Sequence, residues 1–150
     1  MLRAFRLIIL GLATVLLAAP LWAQQSQRFG PYELHYSVVN TTFLAPEVAA
    51  AYGLTRGRDY AILNLALQEH LEDGSVAART MQLKGTTWDL TGRVTELAFQ
   101  EVRENPAIYY LAEFRFFDEE FRHFEVHFRP QDTSETLTLK VKHQMYQDLE

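Results

Sequence analysis

The segment from His123 to His127 carries the residue types that most clearly suggest chemistry. Alternate side chains of a β-strand point to the same side, so His123, Glu125 and His127 are expected to share one face. Two imidazoles and a carboxylate are ligands for zinc, copper or non-haem iron. The two histidines would lie about 13 Å apart along the strand. A single ion bound by both therefore requires strong bending, and a neighbouring strand would have to supply further ligands.

A solvated sheet face explains the same pattern without a metal. Phe124, Val126 and Phe128 alternate with these residues and are expected to enter the core, which leaves the opposite face to solvent. Lys140 and Lys142 would continue the charged face on the next strand. The sequence therefore predicts an ion-paired outer face, with metal binding kept as an alternative.

Motifs for other catalytic chemistry are absent from the sequence. The chain has no cysteine, and no Gly-x-Ser-x-Gly turn presents a serine nucleophile. Its seven glycines are scattered singly, so no glycine-rich loop is present to bind phosphates. We therefore expect neither an enzyme nor a bound cofactor.

The N-terminus predicts a cleavable export signal over residues 1–23. Arg3 and Arg6 precede an apolar run, which ends at Ala23 before a polar stretch. Cleavage after Ala19 is an alternative, and a retained membrane anchor is another. The apolar stretch Leu7–Ala23 is shorter than the roughly 20 residues of a spanning helix and contains a proline. We therefore expect one domain over residues 24–150, without stable membrane insertion.

The charge of the remaining chain limits its partners. Residues 24–150 keep all 19 acidic residues and 12 of the 14 basic ones, a net charge of −7. An acidic surface repels phosphate backbones and anionic lipids, so nucleic acid is not an expected partner. The absence of cysteine means that no disulfide stabilises the domain. Together with the export signal, this composition favours a bacterial periplasm.

Alternation with period two dominates the remaining sequence and predicts about seven strands. The predicted strands span residues 32–38, 61–67, 76–90, 94–102, 108–116, 124–128 and 137–145. The last three are expected to form a meander in which Arg115 pairs with Glu125. Pro46, Glu47 and Gly53 bracket a single short helix. The predicted fold is an all-β, antiparallel immunoglobulin-like sandwich whose one short helix caps an end.

Several segments resemble a family of exported bacterial proteins. They are Glu33–Tyr36, Asn40–Leu44 and Pro46–Leu54, with Val102–Glu104 and Ala107–Tyr110 further along. On these residues the chain resembles the family labelled domain of unknown function 4426. The resemblance implies a periplasmic β-sandwich over essentially the whole mature chain, and it implies no activity or catalytic residues.

The leading functional prediction is a non-enzymatic binding or accessory module that acts through the loop and helix Asn40–Gly53. Loops at the end of a sandwich often carry binding sites, and the partner is expected to be a protein or peptide. The candidate binding residues are Asn40, Thr41, Thr42, Phe43, Leu44 and Tyr52. The alternative is a metal-binding or metal-handling protein that uses His123, Glu125 and His127, with His35 as a further candidate. An enzyme without a recognisable motif is the third class.

Overall fold

Two antiparallel β-sheets face each other in the computed structural model, which describes residues 25–148. The strands are β1 (Gln25–Phe29), β2 (Tyr32–Asn40), β3 (Tyr60–His70), β4 (Val76–Arg79), β5 (Met81–Trp88), β6 (Val94–Leu97), β7 (Gln100–Glu104), β8 (Ala107–Arg115), β9 (Phe121–Pro130) and β10 (Leu137–Gln144). The first sheet has the order β1-β2-β3-β8-β7, with β4 also paired to β3, and the second has the order β10-β9-β5-β6. The predicted export signal, residues 1–23, lies outside the described residues.

Helical structure is confined to the connection between β2 and β3 within the described part of the chain. A 3-10 helix (Thr41–Phe43) is followed by α1 (Pro46–Ala51), which starts with the proline that the sequence places there. No helix between residues 25 and 148 is long and apolar enough to cross a membrane.

The inner faces of the two sheets form one hydrophobic core. Leu63, Leu65 and Leu67 alternate along β3 and are fully buried. Phe114 of the first sheet meets Phe124 of the second edge to face, with ring centroids 5.1 Å apart. Because the described residues hold no disulfide, burial of this apolar surface is the main force that holds the two sheets together.

The predicted fold class, an all-β antiparallel sandwich with one short helix, is confirmed, with ten strands in place of about seven. Two predicted strands are each divided because the chain crosses from one sheet to the other inside them. At Thr80 it leaves β4 in the first sheet and enters β5 in the second. At residues 98–99 it returns from β6 to β7. Alternation shows which side of a strand a residue faces, but it does not show which of the two sheets the strand joins.

The strand β1 is not predicted from the sequence, because it lies in the polar stretch that follows Ala23. It pairs with β2 from Phe29 opposite Tyr32 to Gln25 opposite Tyr36. Gly30 makes the tight turn between them with a φ of 60°, a conformation that favours glycine. Of the five β1 residues only Phe29 packs against the core, so the segment lacks the apolar alternation that would reveal a strand.

The predicted meander of the last three strands is wrong in one pairing. β9 and β10 form the expected hairpin, whereas β8 and β9 belong to different sheets. Arg115 is opposite Tyr60 in the first sheet, and Glu125 is opposite Lys140 in the second. The buried Phe116 explains the crossing, because its N–H donates to the carbonyl oxygen of Asp59 (2.9 Å) and its ring turns into the core.

The helix α1 and its flanking loop cover part of the outer face of the first sheet, whereas the sequence suggests an end of the sandwich. Leu44 and Leu54, on either side of the helix, pack over Ile62, Val102 and Leu111. These outward residues of β3, β7 and β8 are apolar, so the loop buries them against its own apolar side chains. Val39, near the end of β2, packs against the same cluster.

Candidate functional site

A groove of about 480 Å³ opens where β2 and β10 end, along the seam between the two sheets. Val38 and Phe43 lie on one wall, and Met145 and Tyr146, which follow β10, lie on the other. Most of its accessible surface is apolar. A concave apolar site of this size is typical of ligand pockets.

Hydrogen bonds between the two chain segments fix the walls of the groove. The Asn40 side-chain amide donates to the carbonyl oxygen of Tyr146 (2.7 Å), and the Thr42 hydroxyl bonds the Asp148 carboxylate. From the other side, Arg56 donates to the carbonyl oxygens of Leu44 (3.0 Å) and Thr42 (3.2 Å). The 3-10 helix is therefore held between the C-terminal segment and the loop that leads into β3.

Two aromatic side chains at the rim are exposed in spite of their size. Phe43 is 74% exposed and Tyr146 is 55% exposed. Adjacent exposed apolar groups beside a concave surface mark sites of interaction. They lie at the end of a groove whose floor is already apolar, so a partner that covered them would bury a continuous hydrophobic surface.

The edge of β2 at the groove has no strand partner within residues 25–148. β1 pairs with β2 only as far as Tyr36. From Ser37 to Asn40 the only strand paired with β2 is β3, on the opposite side. An unpaired edge presents backbone N–H and C=O groups to an incoming strand.

His143 is the titratable imidazole of the groove. Although its side chain reaches solvent, desolvation by its surroundings lowers the pKa of His143 below the ordinary value of 6.5. The surroundings therefore favour the neutral form of the ring. Asp148 is left as the charged group in the lining of the groove.

The structure divides the six predicted binding residues into three groups. Asn40 and Phe43 line the groove, and Thr42 bonds Asp148 at its edge. Thr41 is fully buried, and its hydroxyl accepts a hydrogen bond from the Gly57 N–H (3.0 Å). The remaining two, Leu44 and Tyr52, pack on the outer face of the first sheet. Thr41 thus anchors the connection, and Asn40 and Phe43 are the predicted residues that line the groove.

The predicted metal ligands on β9 are only partly brought together. His127 Nε2 lies 2.9 Å from Glu125 Oε1, and His127 Nδ1 lies 3.0 Å from the Thr138 hydroxyl. His123 instead stacks on Trp88 of β5, with ring centroids 5.4 Å apart and planes inclined by 6°. Two of the three side chains therefore meet, and the third is engaged elsewhere.

The rest of this face has the charged character that the sequence predicts. In the β9–β10 register, Lys140 lies opposite Glu125 and Lys142 opposite His123. Between residues 25 and 148, no group of three or more His, Asp or Glu side chains is placed so that it could hold a metal ion. Metal binding by this face stays a prediction.

Sequence reasoning missed a second cluster, on the outer face of β2 and β3. Glu33 accepts a hydrogen bond from the Ser26 hydroxyl (2.7 Å) and lies 2.7 Å from His70 Nε2. His35 Nε2 lies 3.8 Å from Glu33 Oε1 and 3.2 Å from Gln68 Oε1. The predicted second strand stops at residue 67, so it excludes His70. The alternation continues to that residue and could have revealed it.

Hydrogen bonds from Ser26 and then His70 hold the pKa of Glu33 below its ordinary value of 4.5. A carboxylate with a lowered folded pKa stabilises the fold above its unfolded pKa, and this contribution is lost as the pH falls through the folded pKa. We therefore expect Glu33→Gln to be destabilising at pH 7 and the difference from wild type to shrink below pH 4.5. Urea unfolding between pH 3 and pH 7 measures this, with Glu72→Gln, an exposed turn residue, as the control. A difference that does not shrink below pH 4.5 would contradict the assignment.

The fold of this chain is similar to the folds of several solved structures. A DUF4426 family protein of Pseudomonas aeruginosa PAO1 is similar at 31% identity and a TM-score of 0.74, over 86% of this chain and 99% of that one. FetP of uropathogenic Escherichia coli strain F11 is similar at 11% identity and a TM-score of 0.62, over 85% and 96% of the two chains. A copper-bound variant of FetP gives 11% identity and a TM-score of 0.60, over 83% and 96%.

No curated protein matches the chain. The model of the family described as Domain of unknown function (DUF4426) matches residues 26–148, which is nearly all of the described chain. This match confirms the resemblance seen in the sequence, and the chain belongs to the DUF4426 family.

Proposed function

We propose that the protein is a non-enzymatic periplasmic binding module that holds an extended, apolar segment of a partner protein in the groove between β2 and β10. The observation that carries this proposal is the exposed pair Phe43 and Tyr146 beside Ser37–Asn40, a stretch of β2 whose outer edge pairs with no strand of residues 25–148. An added strand gains main-chain hydrogen bonds from such an edge, and pockets for its alternate side chains provide specificity.

Charge favours a partner segment with basic residues at its ends. The chain carries a net charge of −5, and Asp148 lies in the lining of the groove. Complementary charge speeds association and selects against acidic partners. The partner is therefore an extended peptide with alternating apolar residues and flanking lysine or arginine.

The periplasmic location rests on the predicted export signal. FetP, which shares the fold, was produced in the periplasm of E. coli. The non-enzymatic role rests on the sequence, which contains no recognised nucleophile or phosphate-binding motif.

A defined peptide tests the groove directly. The probe is an acetylated, amidated heptapeptide of alternating valine and threonine with a lysine at each end, labelled for fluorescence anisotropy. Phe43→Ala should weaken its binding about tenfold, the loss that corresponds to about 1.4 kcal/mol at a buried aromatic contact. Phe117→Ala, which removes an equally exposed phenylalanine from the loop after β8, should leave binding unchanged. Equal losses in the two variants, or no binding to the wild type, would contradict the proposal.

Metal handling is the second candidate function. The copper-bound FetP variant has a similar fold, which supports this class of function for the sandwich. The predicted ligands His123, Glu125 and His127 would carry it on β9, where Glu125 and His127 already meet. Metal titration of variants in these residues tests this candidate.

A further inference from the structure

A second cavity, of about 260 Å³, lies between the β1–β2 turn and the β9–β10 turn. Residues from both sheets form its walls: Phe29, Pro31, Tyr32, Pro130, Glu135 and Leu137. We propose that this cavity binds a quaternary ammonium group of the kind that choline carries. The proposal goes beyond the peptide-binding function and does not depend on it, because Tyr32 and Asn40, at the two ends of β2, are about 26 Å apart along the strand.

Two aromatic side chains lie beside each other on the wall that the β1–β2 hairpin provides. Phe29 and Tyr32 are directly opposite in the register, so their side chains are neighbours on one face of the sheet. Both pack against the main core, and the Phe29 ring meets the buried Phe128 edge to face, with ring centroids 5.1 Å apart. The core therefore holds both side chains in place. A cation within about 6 Å of the centre of an aromatic ring is attracted to the ring face.

Hydrogen bonds fix the two turns that border the cavity. The Pro31 carbonyl oxygen accepts a hydrogen bond from the His70 N–H (2.8 Å). The Pro130 carbonyl oxygen accepts one from the Thr133 N–H (3.2 Å) and one from the Thr133 hydroxyl (2.8 Å). The walls are therefore formed before a ligand arrives, which lowers the ordering cost of binding.

Two carboxylates at the cavity supply negative charge. Glu135 lines it, and Asp132 lies in the adjacent turn between β9 and β10. Within residues 25–148 neither of them takes part in an ion pair. The chain as a whole carries a net charge of −5, and a negative field of this kind raises the local concentration of cations.

The Tyr32 side chain itself lies in a negative potential. Desolvation by burial and then the charge of Glu69 raise the pKa of Tyr32 above its ordinary value of 10.0, and Asp132 adds to this effect. Arg79 opposes the shift, but by less than Glu69 raises it, and Arg79 is itself paired with Glu69 at 2.7 Å. The charges around Tyr32 therefore favour a cation beside the ring.

The lining of the cavity decides which class of cation fits. A primary ammonium group is strongly hydrated and needs several hydrogen-bond acceptors. A quaternary ammonium group presents apolar methyl groups and is recognised by aromatic rings. More of the cavity surface is apolar than polar, and its volume of about 260 Å³ is below the roughly 300–1,000 Å³ of pockets for drug-sized ligands. The cavity therefore suits a small quaternary ammonium head group.

Titration calorimetry with choline chloride, and with the uncharged analogue in which carbon replaces the nitrogen, tests the proposal. The wild type should bind choline at least about tenfold more tightly than the analogue, because only choline gains from the ring faces and the carboxylates. Tyr32→Leu should weaken choline binding about fivefold, which corresponds to about 1 kcal/mol for one cation–ring contact. Thermal melts establish that each variant is folded.

Glu135→Gln tests the charge without touching the core, because Glu135 is exposed. It should weaken choline binding about threefold, as expected for a solvent-exposed charge pair, and leave binding of the analogue unchanged. Glu96→Gln makes the same charge change at an exposed position of β6 and is the matched control. Phe43→Ala, in the groove, is a second control, and both controls should bind choline like the wild type.

Nuclear magnetic resonance locates the bound group. Nuclear Overhauser effects should connect the choline methyl protons with the ring protons of Phe29 and Tyr32. Sedimentation with phosphatidylcholine vesicles distinguishes the source of the group: binding of free choline without sedimentation identifies a free compound, and sedimentation that depends on Glu135 identifies a lipid head group.

Three results would overturn the proposal. They are no choline binding by the wild type, equal affinity for choline and its uncharged analogue, and equal weakening by Glu135→Gln and Glu96→Gln. None of them bears on the peptide groove, so the two proposals fail separately.

Discussion

Phe124→Ala is expected to lower the free energy of unfolding by about 3–5 kcal/mol. Phe124 is 1% exposed at the centre of the interface between the sheets, where its ring meets Phe114 edge to face. The truncation removes the apolar transfer energy of the ring and leaves a cavity between two sheets that cannot close around it. The loss of the aromatic pair adds to this, because such contacts contribute beyond their buried area.

Urea denaturation of the wild type and the variant measures the effect. Phe117→Ala is the matched control, since the same truncation at a largely exposed position should change stability by no more than about 0.5 kcal/mol. A loss below about 1 kcal/mol for Phe124→Ala would mean that the two sheets do not pack through this residue, and the two-sheet core would then be wrong.

Glu120→Ala is expected to cost about 3 kcal/mol, since breaking a buried ion pair on one side leaves an uncompensated charge. Arg122 is buried, and Glu120 Oε1 lies 3.4 Å from its Nη1 atom. The other contacts of the guanidinium are the Thr87 hydroxyl at 3.2 Å and the ring of Phe114, whose centroid is 5.7 Å away. Neither supplies a negative charge, so the variant removes from the buried Arg122 the carboxylate that lies within ion-pair distance of it.

The double variant Glu120→Ala/Arg122→Met separates this charge effect from simple loss of packing. Methionine keeps an apolar chain against Phe114 and removes the charge, so the double variant should recover most of the stability that Glu120→Ala loses. Urea unfolding of the two single variants and the double variant gives the coupling energy. If the free-energy losses of the two single variants add up to the loss of the double variant, Glu120 and Arg122 do not stabilise the fold through their charges.

Period-two alternation located most of the fold because most strands, unlike β1, have one face in the core. The burial of β9 follows that pattern closely, whereas β3 and β8 each bury three successive residues because the loop around α1 covers part of their outer face. The crossing at Thr80 and the pairing partner of β8 depend on contacts between distant residues, such as the Phe116 N–H with the Asp59 carbonyl. No local pattern in the sequence encodes these contacts. The structure therefore has ten strands where the sequence predicts about seven, and the predicted β8–β9 hairpin does not form.

The candidate site likewise combines residues that the sequence predicts with residues that come together only in the fold. Asn40 and Phe43 were predicted as binding residues because loops at the end of a sandwich often carry binding sites. The opposite wall, Met145 and Tyr146, is more than 100 residues away and reaches Asn40 only through the packing of the two sheets. Likewise His35 was a candidate ligand, whereas the contact of Glu33 with His70, 2.7 Å apart, exists only because β2 pairs with β3.

In the proposed binding mode, the edge of β2 at the groove receives a strand from a partner. Amide hydrogen exchange with and without the lysine-flanked heptapeptide tests it most directly, because a new ladder protects backbone N–H groups that are otherwise unpaired. We expect slower exchange confined to residues 37–40 and to the segment around Met145 and Tyr146. Protection at the β6 or β7 edge, with residues 37–40 unchanged while the peptide is bound, would contradict it.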